Sequence, residues 1–190
     1  MQGAFGFFYL LSSLVNQGLR YTDKVIIQSV PFLVYLSRNG PNATTDLNPS
    51  NAVHFTITSP VAKRNKNKLC IFFGDTFRLV AKDGTFFQRG GVATSVDSAW
   101  FTGRFFGKFV ANATQLVMVE RGGAFGQFVP KKKPIGLSWG GAADGLAFNQ
   151  DVSALNPDNS NRRLMTVRPN EVIILVDQWT AQESFLLIPV

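Results

Sequence analysis

Val53-His54-Phe55-Thr56-Ile57-Thr58 alternates apolar and polar residues without a break. Successive side chains of a strand point to opposite faces, so Val53, Phe55 and Ile57 share one face and His54, Thr56 and Thr58 the other. The pattern predicts a half-buried β-strand, and similar signals recur on both sides of it. Upstream, Lys24 to Ser37 reads as one long strand that Pro31 bends, bulges or places at an edge. Asn39-Gly40-Pro41 ends it, and a polar loop runs to Asn51. Downstream, Leu69–Phe73 and Thr76–Lys82 are apolar runs. Asp83-Gly84, between Lys82 and Thr85, predicts a type I′ hairpin turn. Trp100–Val110, Gln115–Glu120, Phe125–Val129, Ile135–Trp139, Leu164–Arg168, Val172–Val176 and Phe185–Ile188 are further candidates. The Arg-Gly-Gly triplets at Arg89–Gly91 and Arg121–Gly123 read as turns between them.

About ten short strands at this spacing predict an all-β fold, an antiparallel β-sandwich or barrel. Neither a linker nor an internal repeat is visible. The expected organisation is a single β domain over residues 21–190, preceded by an apolar helix or arm over residues 1–20. In that segment Phe7, Leu10, Leu11 and Leu14 fall at helical spacing. Gly18 reads as the helix stop, and Arg20 would sit near the negative end of its dipole. The apolar run is shorter than the roughly 20 residues that a spanning helix needs, and it lacks the basic start of a secretory signal.

Hydrophobic residues make up 45% of the chain and charged residues 16%, with 18 Phe. The charged share is below the usual quarter or so. Four adjacent pairs, Phe7-Phe8, Phe72-Phe73, Phe86-Phe87 and Phe105-Phe106, send one ring to each face of a strand. The outer ring then needs a second layer or another subunit to cover it. Phe5, Phe7, Phe8, Leu10, Leu11 and Leu14 are the candidate subunit interface, and copies of the chain are the first expected partner.

The net charge is +7. It is concentrated at Lys63, Arg64, Lys66 and Lys68, at Lys131, Lys132 and Lys133, and at Arg162 and Arg163, all in expected loops. Gathered on one face, these residues would hold nucleic-acid phosphates or an anionic membrane without reading sequence.

The common catalytic chemistries find no purchase. With one His and one Cys, the ordinary structural zinc sites are excluded. No Gly-x-Ser-x-Gly elbow supplies a nucleophile for His54, and neither the P-loop nor the dinucleotide fingerprint is present. Cys70, between Leu69 and Ile71-Phe72-Phe73, reads as a buried structural thiol. Asp75, Glu120, Asp177 and Glu183 lie near strands as candidate paired carboxylates, but nothing in their spacing brings them together. The expectation is a non-enzymatic protein without cofactor or metal.

Two-sided strands, an apolar N-terminal segment and basic loops together resemble the jelly-roll capsid proteins of small viruses, at the level of architecture over residues 21–190. The resemblance implies a single jelly roll that self-assembles into a virion in the host cytoplasm, with other virion proteins as further partners. It carries no motif and hence no functional residues. An apolar N-terminus in place of a basic arm departs from many such coats. Two readings from other classes stand beside it. One is a carbohydrate-binding β-sandwich, with Trp100, Trp139 and Trp179 as candidate stacking residues; the other is a two-carboxylate glycosidase.

Overall fold

The computed structural model describes residues 18–95, 98–108, 115–119, 127–140, 163–167, 174–176 and 184–190; for 89–95, 98–102, 115–119, 138–140, 163–164 and 174–176 the description is of the backbone. The strands are β1 (Lys24–Ser29), β2 (Tyr35–Asn39), β3 (Asn42–Asp46), β4 (Phe55–Thr58), β5 (Thr76–Ala81) and β6 (Phe86–Ser95). They continue with β7 (Ser98–Phe106), β8 (Gln115–Val119), β9 (Gly136–Gly140), β10 (Arg163–Thr166), β11 (Ile174–Val176) and β12 (Phe185–Pro189). A 3-10 turn (Pro49–Asn51) and a short helix α1 (Ala62–Lys66) interrupt them.

Every strand pairing is antiparallel, and the pairings repeat. β1 pairs with β4, β5 with β8, and an Ile135–Phe185 bridge joins the start of β9 to β12. Between these couples, β4 pairs with β5, β8 with β9 and β12 with β1. Six strands thus close a barrel. The other six form the hairpins β2–β3, β6–β7 and β10–β11. These meet at one end of the barrel through Asn42 opposite Arg104 and Thr102 opposite Ile174. Three successive four-strand units, starting at Lys24, Thr76 and Gly136, therefore build a β-trefoil.

The opposite end is closed by a ring of three backbone hydrogen bonds. The Leu19 N–H donates to the Val129 carbonyl (2.8 Å), Ile71 to Leu19 (2.9 Å) and Val129 to Ile71 (2.9 Å). All three side chains are fully buried. Two-residue alternation extends outward from the ring: Tyr21 and Phe73 are buried, whereas Phe72 and Phe128 face solvent. Three residues beyond each ring position the backbone turns left-handed, at Thr22 (φ 76°), Gly74 (φ 91°) and Lys132 (φ 57°). This conformation is comfortable only for glycine, so the chain adopts the same turn three times and uses its preferred residue once.

Inside the barrel, each unit contributes fully buried side chains: Val25, Ile27, Phe55 and Ile57, then Phe77 and Leu79, then Ile135, Leu137, Phe185 and Leu187. Each such burial stabilises by about 1.5–3 kcal/mol. Below the hairpins, Phe55 lies 6.0 Å from Phe87 and 6.1 Å from Phe105 between ring centroids. Gly103 lets the hairpins meet over these rings. A Cβ there would lie 2.7 Å from a Phe87 ring carbon and 3.1 Å from the Ala43 methyl.

The all-β antiparallel barrel expected from the strand spacing is present, and Val53, Phe55 and Ile57 do share the buried face. Its connections differ from those of a jelly roll, because they repeat threefold. The expected long strand over Lys24–Ser37 is two strands: the backbone reverses at Leu33 (φ 54°), and the Ser29 N–H reaches the Val34 carbonyl at 2.8 Å. The expected polar loop contains β3, whose inward residues are the small Ala43 and Thr45, fully buried and nearly so. Gly84 (φ 84°) donates to the Ala81 carbonyl, while Asp83 is not left-handed. The turn is therefore type I followed by a glycine, not type I′. Arg89 and Val92 flank a register shift inside β6, so the first Arg-Gly-Gly triplet is a bulge in a strand. Gly18 and Arg20 form β-bridges to Pro130 and Cys70 in place of a helix end. The rest of the expected N-terminal helix, and the second triplet, lie outside the described residues.

Two predictions follow from this packing. Gly74→Ala should lower the unfolding free energy by about 1–2 kcal/mol, whereas Lys132→Gly should raise it by about 0.5 kcal/mol, both measured by urea denaturation. Equal losses at the two positions would contradict the shared turn. Gly103→Ala should cost about 1–3 kcal/mol through the clash with Phe87, and an unchanged midpoint would contradict the close approach.

Candidate functional site

An open groove of about 340 Å³ lies where the first four-strand unit meets the second. Its floor is apolar and small: Ala52, Val53 and Ala81, each at least nine-tenths buried. Its rim is polar: Arg38 from β2, Asn51 from the 3-10 turn, His54 before β4, and Lys82 and Asp83 from the β5–β6 turn. Backbone bonds fix these segments to one another. The Val53 N–H donates to the Leu36 carbonyl (2.9 Å), and Lys82 to the His54 carbonyl (3.1 Å). The Ser37 hydroxyl donates to the Asn51 carbonyl (2.8 Å). Asn48 caps the 3-10 turn by accepting the Ser50 N–H (3.0 Å).

Arg38 organises one wall. Its guanidinium stacks 4.5 Å over the Phe105 ring and donates to Asp83 Oδ2 (2.6 Å), the Thr85 hydroxyl (3.2 Å) and the Gly40 carbonyl (3.0 Å). Asp83 in turn accepts the Thr85 hydroxyl (2.6 Å) and N–H (3.0 Å). The Thr85 hydroxyl, the Thr85 N–H and then Arg38 hold the Asp83 carboxyl below the ordinary carboxylate range. Asp83 is thus a fixed, ionised acceptor beside the donors of Arg38 and Lys82. At the other end, Asp46 accepts the Asn48 N–H (2.7 Å) and the Asn51 side-chain amide (2.9 Å), which lower its pKa in that order. The groove offers donors and acceptors around a small apolar floor, the arrangement that suits a hydroxyl-rich ligand with an exposed C–H face.

Two of the three expected basic clusters come to one end of the barrel, the end closed by the ring. Lys63, Arg64 and Lys66 lie on α1, a helix where a loop was expected. Asn65 holds it, accepting the Ser59 N–H (2.6 Å) and donating to the Ser59 carbonyl (2.9 Å). Arg64 also reaches Asp75 at 3.1 Å. Lys68 precedes Leu69, whose carbonyl accepts the Tyr21 N–H (3.0 Å). Lys131 pairs with Asp23 at 3.8 Å, with Lys132 and Lys133 exposed beside it. The third cluster does not join them: Arg163 stands opposite Trp139 toward the hairpin end, and Arg162 is outside the described residues.

Asp75 is a structural acid. It takes Arg64, the Phe72 N–H (3.2 Å) and a long contact from the Tyr21 hydroxyl (3.4 Å), which also donates to the Thr76 carbonyl (3.1 Å). Burial, then the Asp75 charge, push the Tyr21 phenol up. The candidate partners Glu120, Asp177 and Glu183 lie outside the described residues, as do Trp179 and the candidate interface Phe5, Phe7, Phe8, Leu10, Leu11 and Leu14. Trp100 and Trp139 are placed on β7 and β9 by their backbones alone. Cys70 is half-buried, because it bridges to Arg20 on the outer side of the ring. Among the described residues no three His, Cys, Asp or Glu gather as a metal site, and no helix is long and apolar enough to cross a membrane. The groove was missed in the sequence because its residues come from three separated segments, at Arg38, Asn51–His54 and Ala81–Asp83; His54 and Asp83-Gly84 were its only visible signals.

No family model matches the sequence, and no curated protein matches it. The fold itself has solved counterparts. A Caenorhabditis elegans protein of unknown function aligns over 90% of this chain and 96% of its own, with TM-score 0.63 and 10% identity. The SDF2-like protein of Arabidopsis thaliana aligns over 90% and 94%, with TM-score 0.58 and 11% identity. The ligand-binding domain of botulinum neurotoxin serotype D, solved in complex with N-acetylneuraminic acid, aligns over 96% of this chain, with TM-score 0.60 and 8% identity. This chain spans 47% of that toxin domain. At such identities the likeness is one of fold.

Proposed function

We propose that this chain is a non-enzymatic carbohydrate-binding module whose saccharide lies in the groove between Arg38, His54, Lys82 and Asp83. The observation that carries the reading is the groove's composition. A fixed carboxylate and several N–H donors surround an apolar floor of small residues, open enough to admit a ring from solvent. Sugars are held this way, by hydrogen bonds to hydroxyls and contact with a C–H face. The similarity to a toxin domain solved with a bound sialic acid agrees with it, though fold alone never fixes function. Lys82 and His54 would grip ligand hydroxyls or a carboxylate, Asp83 would accept from hydroxyls, and Arg38 would keep Asp83 in place. The virion reading draws on two-sided strands, basic loops and the apolar segment at residues 5–14, the last of these outside the described residues, and the groove gives it no support.

A glycan array with the full chain identifies the sugar class, and calorimetry with the best binder measures affinity. His54→Ala and Lys82→Ala, both exposed at the rim, should each weaken binding about tenfold while leaving the melting temperature unchanged. An array with no binder, or variants that bind like the parent, would overturn the reading.

Acid should act through Asp83. A carboxyl whose folded pKa is depressed contributes stability that is present above about pH 4 and lost as pH falls through its lower folded value. Denaturation midpoints of the parent should fall over that window more steeply than those of Asp83→Asn. Parallel profiles would remove Asp83 from the account.

A further inference from the structure

The ring end of the barrel carries a second surface, independent of the groove. Its outward positions, Gly18, Arg20, Cys70, Phe72, Phe128 and Pro130, are apolar except for Arg20. Phe72 and Phe128 sit opposite each other with ring centroids 4.7 Å apart, and Pro130 bridges to Gly18 beside them. Leu69, Phe72 and Phe128 remain 45%, 37% and 36% exposed, large values for such side chains. Around this face stand Lys63, Lys66, Lys68 and Lys132, all exposed. The Arg64–Asp75 pair ties α1 to the turn after Phe72, and the Lys131–Asp23 pair ties the other cluster to the segment following the ring.

We infer that this end of the barrel docks on an anionic lipid surface, with Phe72, Phe128 and Leu69 entering the interface and the surrounding lysines meeting lipid phosphates and carboxylates. Interfacial proteins combine these two signals, because neither an apolar contact nor a basic patch alone holds firmly. A second copy of the chain is disfavoured as occupant: two such faces brought together would set lysines against lysines. A nucleic acid would use the lysines and stack on the rings, but it would leave Leu69 without a role.

The test is co-sedimentation of the full chain with vesicles of phosphatidylcholine alone and with about 30% phosphatidylserine, which carry no sugar. Binding is expected only to the anionic vesicles, weakening as salt rises. Phe72→Ser with Phe128→Ser should weaken it at least about tenfold, and Lys66→Glu with Lys68→Glu about as much. Thermal melts establish that both variants fold. Absence of binding, equal binding to neutral vesicles, or variants that bind like the parent would each overturn the inference. So would a dimer that Phe72→Ser dissolves, or a single-stranded oligonucleotide that binds with the same dependence on both pairs of residues. Because the vesicles lack carbohydrate, failure here leaves the glycan reading standing, and failure of the glycan array leaves this one standing.

Discussion

Three backbone hydrogen bonds, passed in a circle from Leu19 to Val129 to Ile71 and back, hold the ends of three chain segments together under the barrel. Each donor is buried, so losing one bond would leave a backbone group without water or partner. The ring sets where each four-strand unit begins, and the first strands β1, β5 and β9 all start from it. The left-handed turns at Thr22, Gly74 and Lys132 are its local consequence. They redirect the chain from the ring into the barrel wall, even where the residue must tolerate an unfavourable backbone.

What surrounds this threefold frame is not threefold. The groove exists because the first unit carries Arg38 on its hairpin and the second carries Asp83 in its first turn. Phe105 completes it by placing a ring beneath the Arg38 guanidinium. The same guanidinium thus covers the aromatic core, restrains the turn and fixes the charge of Asp83. At the opposite end, asymmetry takes another form: two of the three outward arms carry lysine clusters, and one aromatic pair lies between them. The groove and the ring-end face are consequently separated along the barrel axis.

The sequence made the strands legible wherever one face was buried against large side chains. Val53, Phe55 and Ile57 announced β4 by alternation, and the apolar runs at Phe185–Ile188 and Ile135–Trp139 marked barrel strands. β3 was illegible because its inward residues are Ala43 and Thr45, and Ala43 sits close beside Gly103 across the hairpin contact. A polar-looking strand results, and its sequence reads as loop. The threefold repeat was hidden for a related reason. Equivalent positions share a conformation but not a residue, as Thr22, Gly74 and Lys132 show, and the stretch of sequence from Gly140 to Arg163 between β9 and β10 is far longer than its counterparts between β1 and β2 or β5 and β6. The convergence of two basic clusters was likewise invisible, since Asp23 and Asp75, which anchor them, carry no sequence signature. The groove drew on Arg38, Asn51, His54 and Asp83, which become neighbours only through β-pairing of segments far apart in the chain.

The most direct measurement is a nitrogen–proton NMR titration of the labelled full chain with N-acetylneuraminic acid and, separately, with the best binder of a glycan array. The account predicts shifts confined to the amides of Arg38, Asn51, His54, Lys82 and Asp83, with Leu19, Ile71 and Val129 unmoved. Shifts that centre on the ring end, or that spread with no focus at the groove, would contradict it.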